Sequence, residues 1–279
     1  MPAEPAGVGA RRAAVLGHPI AHSLSPVLHR AAYAALGLPW TYDAIDCDVP
    51  YLTDVLDERR DWAGFSLTMP LKRAALTVAD EVSPRAQAVG AANTLLPRAD
   101  GVWSAHNTDV DGIRTVLQEA GVRPERVTVL GAGGTAQATV AALADLGIGA
   151  CVVVVRNPGR TAEVRATAQA VHVTIDVAQL SVDAPELAAD LVVSTLPPGA
   201  ADRLTDAPWR AGQTVLDVVY DPWPTALASA AAAGGARVFG GARMLLHQAA
   251  AQVELMTGLA APVEAMRVAL RAAALNTGV

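Results

Sequence analysis

The stretch V127-T-V-L-G-A-G-G-T-A-Q-A-T-V-A-A-L143 decides the fold. Val127 to Leu130 predict a short buried strand, and the glycine-rich turn that starts at Gly131 leads directly into a helix rich in alanine and leucine. Glycines suit this turn because the backbone must bend tightly and then approach a pyrophosphate at the amides of the helix N-terminus. With the next strand, 151 to 155, the pattern predicts a dinucleotide-binding Rossmann unit; a glycine-rich turn without a ligand is the plain alternative.

Strand-like runs alternate with helical ones on both sides of this unit, which predicts an α/β protein with largely parallel sheets. Ser25 and Pro26 are typical of an N-cap and a first helical position, and Gly37 is typical of a helix end. Further helices are predicted from 108 or 109 to 121 and within 226 to 236. The predicted strands are 13–17, 40–47, 63–68, 93–96, 102–106, 127–130, 150–155, 171–175, 190–194, 214–219 and 236–239.

Composition excludes several classes of protein. A net charge of −6 and an aromatic content of 4%, with no basic cluster, argue against a nucleic-acid partner. Cys47 and Cys151 have no C-x-x-C or His/Cys spacing, so we expect free buried thiols in a reducing compartment and no metal site. The opening residues lack the apolar region of a signal peptide, and no apolar stretch reaches the length of a membrane span. We therefore expect a soluble, cytoplasmic protein.

The residues after the strand 151 to 155 indicate which dinucleotide is bound. An NAD site usually has Asp or Glu at this strand end to bind the ribose 2′-hydroxyl, and neither is present. Arg156, Asn157 and Arg160 lie there instead, and two guanidinium groups suit a 2′-phosphate. We therefore expect NADP, unless the two arginines only solvate a loop.

Lys72 is the only lysine among the 21 basic side chains of the sequence. Arginine keeps its proton at any physiological pH, whereas lysine can exchange one with a substrate. Lys72 also follows a predicted strand at the start of a helix. It is therefore a candidate acid or base, and the alternative is an ordinary solvated surface charge.

Ser23 and Ser25 place two hydroxyls at the start of a predicted helix, where an anion such as a carboxylate can bind. Ser25 alone could instead act as a simple N-cap. The adjacent His22 does not indicate a serine hydrolase, since the sequence contains no G-x-S-x-G motif.

Other polar residues lie where a polyhydroxyl ligand could be bound. Asn93 and Asp109 stand at the edges of strand-like runs, although both are also ordinary turn and N-cap residues. Gln248 lies on the apolar stripe formed by Met244, Ala251 and Leu255, so its amide needs a backbone or ligand partner.

These motifs resemble the shikimate dehydrogenase family. They run over residues 13 to 272 in the order and spacing of that family. In chain order they are G17-H-P-I-A-H-S23-L-S25-P, S66-L-T68-M-P-L-K72, A-N93-T, N107-T-D109, G131-A-G-G, Y220-D-P and M244-L-L-H-Q248-A. The resemblance implies NADP-linked interconversion of 3-dehydroshikimate and shikimate in the chorismate route to aromatic amino acids.

The resemblance also implies a discontinuous domain organisation. A substrate-binding lobe of residues 1–108 would be completed by C-terminal helices within 242–279, and an NADP-binding Rossmann domain, 109–241, would be inserted between them. The active cleft is expected between the two lobes.

The resemblance assigns a role to each candidate residue. Catalysis falls to Lys72 and Asp109. The substrate-binding residues are Ser23, Ser25 and Tyr220 at the carboxylate and Ser66, Thr68, Asn93 and Gln248 at the ring hydroxyls. The cofactor-binding residues are Gly131, Ala132, Gly133, Gly134, Thr135 and Ala136 at the pyrophosphate, Arg156, Asn157 and Arg160 at the 2′-phosphate, and Gly241 near the nicotinamide.

Two departures from the family pattern leave alternatives open. Ser66 stands where the family commonly has Asn, and Leu71 where it has Phe. A serine hydroxyl is shorter, so its contact with a ring hydroxyl could pass through water. A quinate/shikimate or aminoshikimate dehydrogenase is therefore the alternative within the class, and a non-catalytic NADP-binding sensor is the alternative outside it. We expect a monomer or a homodimer.

Overall fold

The computed structural model describes residues 9–98 and 101–276 and divides into two compact units. The first unit contains the described residues up to 86, those of 91–108, and 249–276. The second unit contains 87–90 and 109–248. One boundary lies between Thr108 and Asp109, and another lies between Gln248 and Ala249.

A mixed six-stranded sheet organises the first unit, in the order β2-β1-β3-β5-β6-β4. Strand β5 runs antiparallel to β3 and β6, and the other pairs are parallel. Its core includes Phe65, Leu71, Leu95 and Trp103. The elements from the N-terminus are β1 (Arg12–Gly17), α1 (Ser25–Ala35), β2 (Thr41–Asp46), α2 (Leu52–Asp57), β3 (Gly64–Leu67), α3 (Leu71–Val78), β4 (Glu81–Val82), α4 (Pro84–Val89), β5 (Thr94–Pro97) and β6 (Trp103–His106).

A parallel six-stranded sheet organises the second unit, in the order β12-β11-β10-β7-β8-β9. This is the Rossmann strand order, so the predicted fold class is confirmed. The elements are α5 (Asp109–Glu119), β7 (Val127–Leu130), α6 (Gly134–Asp145), β8 (Ala150–Val155), α7 (Ala162–Ala170), β9 (Thr174–Gln179), β10 (Leu191–Ser194), β11 (Thr214–Asp217), α8 (Ala226–Ala233) and β12 (Arg237–Gly240). Helix α9 (Gly241–Thr257) begins in the second unit and ends in the first, and α10 (Val263–Asn276) belongs to the first unit.

Three local predictions differ from the structure. Strand β4 was not predicted, because two residues are too few to show a hydrophobic period. Strand β9 begins at Thr174 rather than 171, because His172 adopts a left-handed φ of 58° after α7. Helix α1 has Leu24, not Ser25, as its N-cap, so Ser25 is already helical.

Two other local predictions, the end of α1 and the state of the two cysteines, are confirmed. Gly37, with a φ of 66°, ends α1, and the N–H of Leu38 donates to the carbonyl of Tyr33 at 2.9 Å, as in a Schellman motif. Cys47 and Cys151 are free and buried. Within residues 9–98 and 101–276, no helix combines the length and apolarity that crossing a membrane requires.

Candidate active site

Most of the predicted substrate-binding and catalytic residues lie on one edge of the first sheet. Strands β1 and β3 are parallel, so the segments that follow them, with Ser23 and Thr68, leave the sheet on the same side. Strand β5 is antiparallel to β3, which brings Asn93, the residue before β5, to that same edge. The N–H of Leu67 donates to the carbonyl of Asn93 at 2.8 Å.

Ser23 and Ser25 lie together at the start of α1. The main-chain N–H of Ser25 donates to Ser23 Oγ at 3.3 Å, and Ser25 is buried. Leu24 is the N-cap residue of α1, and in the described part of the chain its side chain makes no capping hydrogen bond. The first turn of α1 therefore places two hydroxyls at the positive end of the helix dipole, which suits a carboxylate.

Lys72 is half-buried in the first turn of α3. Its main-chain carbonyl accepts the N–H of Ala92 at 2.7 Å, which ties the start of α3 to the residue before Asn93. The structure thus brings the backbone of the candidate acid or base to the same sheet edge as the candidate hydroxyl-binding amide.

The side chain of Asn93 is buried and its amide has a fixed orientation. The N–H of Thr108 donates to Asn93 Oδ1 at 2.8 Å, and Asn93 Nδ2 donates to Thr108 Oγ1 at 2.9 Å. Because a main-chain N–H can only donate, the atom facing it must be the amide oxygen. Thr94 Oγ1 donates to the same oxygen at 2.9 Å. Both lone pairs of Oδ1 therefore have donors within the protein, so Nδ2 is the side of the amide that we assign to a ligand.

Ser66 is only 3% exposed. Tyr42 Oη donates to Ser66 Oγ at 2.6 Å, and Ser66 Oγ donates to Gln252 Oε1 at 2.7 Å. The sequence led us to expect a direct or water-mediated contact from this hydroxyl to a ring hydroxyl. The structure permits such a contact only with Ser66 as the acceptor. The one hydrogen of its hydroxyl is already donated to Gln252, and only a lone pair is left.

Gln252 is a residue of this network that the sequence analysis missed. It is 1% exposed and lies between Ser66 and Asn93, with its Nε2 donating to the carbonyl of Asn93 at 2.9 Å. Its position one helical turn after Gln248 was the available signal, since a second buried amide on α9 also requires partners.

The predicted cofactor residues come together in the second unit. A cavity of about 540 Å³ opens at the carboxyl ends of β7 and β8. Six of the predicted residues line it: Gly131, Ala132, Gly133, Arg156, Asn157 and Arg160. Gly134, Thr135 and Ala136 form the first turn of α6 directly behind the glycines.

The two turn glycines serve different purposes. Gly131 has a φ of 107° and its N–H donates to the carbonyl of Val154 at 2.9 Å, so the fold itself requires glycine there. A Cβ on Gly133 would meet no atom of the described chain within 4 Å. Gly133 is also the N-cap of α6, without a capping side chain from the described residues. The open space and the uncapped amides fit a pyrophosphate.

Arg156 and Arg160 are exposed on the rim of this cavity. Across the part of the chain that the structure describes, neither guanidinium is ion-paired with a carboxylate, unlike Arg126, which approaches Asp190 at 3.7 Å. Two cations without carboxylate partners at the end of β8 fit a 2′-phosphate.

Four further predicted residues belong to the second unit but are not among those lining this cavity. Asp109 is buried in the first turn of α5. Gln248 is buried, and its Nε2 donates to the carbonyl of Leu245 at 2.9 Å. Tyr220 is partly buried, and burial raises the pKa of its phenol. Gly241 is packed so closely that a Cβ would lie 1.9 Å from the carbonyl oxygen of Val218.

Known proteins are similar to this chain over nearly its whole length. A family model described as the shikimate dehydrogenase substrate binding domain matches residues 15–95, and one described as the shikimate 5'-dehydrogenase C-terminal domain matches 241–271. The shikimate dehydrogenase (NADP(+)) of Moorella thermoacetica is 38% identical over 273 residues, which cover 93% of this chain and 92% of that protein. The chain belongs to the shikimate dehydrogenase family.

Solved structures of the family have the same fold. The shikimate dehydrogenase of Mycobacterium tuberculosis is 46% identical with a TM-score of 0.84, over 94% of this chain and 99% of that one. A quinate dehydrogenase from Corynebacterium glutamicum, in complex with NAD, is 30% identical with a TM-score of 0.85, over 94% and 99% of the two chains. Both are similar to this chain over nearly its whole length.

Proposed function

We propose that the protein is an NADP-dependent shikimate dehydrogenase, which reversibly reduces 3-dehydroshikimate to shikimate in chorismate biosynthesis in the cytoplasm. The observation that carries the proposal is the cavity in which the pyrophosphate glycines come together with two arginines that have no carboxylate partner among the described residues. The name of the Moorella relative supports NADP. We assign the substrate to the lobe of residues 1–108 and 242–279 and NADP to 109–241.

NADPH supplies the hydride when it is bound. The chain must then hold the substrate and provide one proton, and we assign that proton to Lys72. Its ammonium protonates the oxygen that forms at C3, and neutral lysine accepts the proton in the reverse direction. Asp109 positions the ammonium. General acid catalysis of this kind typically contributes about 10²- to 10⁴-fold.

Side chains on the edge of the first sheet fix the substrate in our assignment. The hydroxyls of Ser23 and Ser25 bind the carboxylate at the start of α1, with Tyr220 at the same end of the substrate. Asn93 Nδ2 donates to a ring hydroxyl oxygen, and Thr68 and Gln248 bind the remaining hydroxyls. The fixed amide of Asn93 favours this arrangement because its orientation needs no adjustment when the ligand binds.

The alternative within the class is quinate or an amino-substituted analogue. The quinate dehydrogenase at 30% identity and the serine at position 66 keep this alternative open. Outside the class, a non-catalytic NADP sensor would have no use for the proton transfer that Lys72 and Asp109 provide.

The experiment that separates these functions is the initial rate of reduced cofactor formation, with shikimate and quinate each tested against NADP and NAD. Turnover with shikimate and NADP alone supports the proposal. Comparable turnover of quinate assigns the broader specificity, whereas tight NADPH binding without turnover of either substrate assigns the sensor. Sedimentation of the same sample tests our proposal of a monomer or homodimer.

A further inference from the structure

The amide of Gln252 connects the end of β3 to the start of β5 at the candidate substrate site. Its Nε2 donates to the carbonyl of Asn93 at 2.9 Å and to Thr94 Oγ1 at 3.0 Å. Its Oε1 lies 2.7 Å from Ser66 Oγ and 3.2 Å from His29 Nε2. All four partners are buried, so water does not compete for these hydrogen bonds.

The direction of every hydrogen bond in this network follows from one group. The Asn93 carbonyl can only accept, so Gln252 turns its Nε2 toward it and its Oε1 toward Ser66 and His29. Ser66 must therefore donate to Gln252, which makes Tyr42 Oη the donor to Ser66. His29 carries its hydrogen on Nε2, and burial lowers the pKa of His29 to about 3, so its ring is neutral.

The network controls the residue that we assign to the ring hydroxyl. The carbonyl of Asn93 accepts both from Leu67 in the sheet and from Gln252. Thr94 Oγ1 receives a hydrogen from Gln252 and donates its own to Asn93 Oδ1. Gln252 thus holds the main chain of Asn93 directly and its side-chain amide through Thr94.

We propose that Gln252 is a positioning residue for substrate binding, which holds Asn93 in place and is itself oriented by Ser66. This inference rests on the proposed function of Asn93. It follows that Ser66 influences the binding of the ring through Gln252 and not through its own contact with the substrate.

A purely structural role of Gln252 would have a different effect on the kinetic constants. Replacing a buried amide that has several partners lowers stability wherever it lies, and unfolded protein lowers the apparent kcat without changing KM. A positioning role changes the affinity of the folded enzyme for one of its two substrates.

Gln213 provides a matched control within the second unit. It is fully buried, its Nε2 donates to the carbonyls of Leu187 and Ala189 at 2.8 and 2.9 Å, and its Oε1 accepts the N–H of Arg210. Gln252→Leu and Gln213→Leu therefore remove the same side chain with a similar set of hydrogen bonds. The full-length variants are compared with wild type by initial rates, with shikimate and NADP varied in turn.

We expect Gln252→Leu to raise KM for shikimate about tenfold with KM for NADP within about twofold, and Gln213→Leu to change neither. Should Gln252→Leu not fold, Ser66→Ala is expected to raise KM for shikimate by about three- to tenfold on its own. Where both fold, the double variant should match Gln252→Leu alone, since Ser66 acts through Gln252.

An unchanged KM for shikimate in Gln252→Leu, or in Ser66→Ala where Gln252→Leu does not fold, overturns the inference. So does an additive effect of the two substitutions. A wild-type enzyme without shikimate turnover refutes the proposed function instead, so the two failures are distinguishable.

Discussion

Gly131 lies so close to Thr195 that a Cβ on the glycine would stand 2.5 Å from Thr195 Oγ1. That hydroxyl is held in place, since it donates to the carbonyl of Leu130 at 2.7 Å. The neighbouring Gly133 has no such constraint within the described residues. The two glycines of one turn are therefore required for different reasons, the first by the fold and the second by the ligand that we propose.

Alanine substitutions at the two glycines separate these reasons. We expect Gly131→Ala to destabilise the protein by about 1–3 kcal/mol, because it adds a clash and a left-handed φ. Gly133→Ala should change stability by less than about 0.5 kcal/mol and raise KM for NADP at least about tenfold, because its methyl group occupies the space of the pyrophosphate. Urea unfolding and initial rates measure the two effects. Unchanged NADP kinetics in Gly133→Ala contradict the assignment of this turn.

Lys72→Arg tests the proton transfer. The substitution keeps the positive charge, but a guanidinium does not give up a proton at physiological pH, so kcat should fall by about 10²- to 10⁴-fold with a smaller change in KM for shikimate. The neighbouring Arg73→Lys is the control, since Arg73 is exposed and has no assigned role. Near wild-type kcat in Lys72→Arg means that another group supplies the proton.

Asn93→Asp tests the assignment of Asn93 as a donor. The carboxylate keeps an acceptor for the N–H of Thr108 but has no hydrogen to donate to a ring hydroxyl. We expect KM for shikimate to rise by about tenfold or more with KM for NADP little changed. If KM for shikimate stays at the wild-type value while the thermal midpoint falls, Asn93 has a structural role only.

Arg156→Ala tests the choice of dinucleotide. Removing one guanidinium from the 2′-phosphate should raise KM for NADP by about 10- to 100-fold and leave KM for NAD nearly unchanged. Arg126→Ala is the control in the same unit, because Arg126 approaches Asp190 and does not line the cavity. Equal effects on the two cofactors contradict the 2′-phosphate assignment.

His29 predicts a pH dependence of stability. Burial lowers its folded-state pKa to about 3, below the unfolded value of 6.5. Between these values the unfolded state binds more protons, so stability is lost as the pH falls below about 6.5, with a slope of up to about 1.4 kcal/mol per pH unit from this group. Urea unfolding of His29→Phe between pH 7 and 5 should show a shallower loss than wild type.

Gln213→Leu gives the control for this measurement, because it replaces a buried side chain that does not titrate. This variant should keep the wild-type slope. A slope that is equal in His29→Phe and wild type means that the ring is not neutral in the folded protein.

The sequence predicted the Rossmann unit and much of the site because those determinants are contiguous. The strand before Gly131, the turn itself and the helix after it lie within twenty residues. The strand and the helix are recognised by their apolar residues and the turn by its glycines. Arg156 and Arg160 were predicted for the same reason, because they directly follow the predicted strand 151 to 155.

The partners of buried polar groups depended on the tertiary structure. Ser66 and Gln252 are 186 residues apart, and no local pattern indicates that α9 places one amide between β3 and the residue before β5. The short edge strand β4 likewise forms only because Glu81 and Val82 pair with β6. Local propensity is a property of neighbouring residues, whereas the partner of a buried hydroxyl or amide is set by whichever surfaces the packed core brings within hydrogen-bond distance.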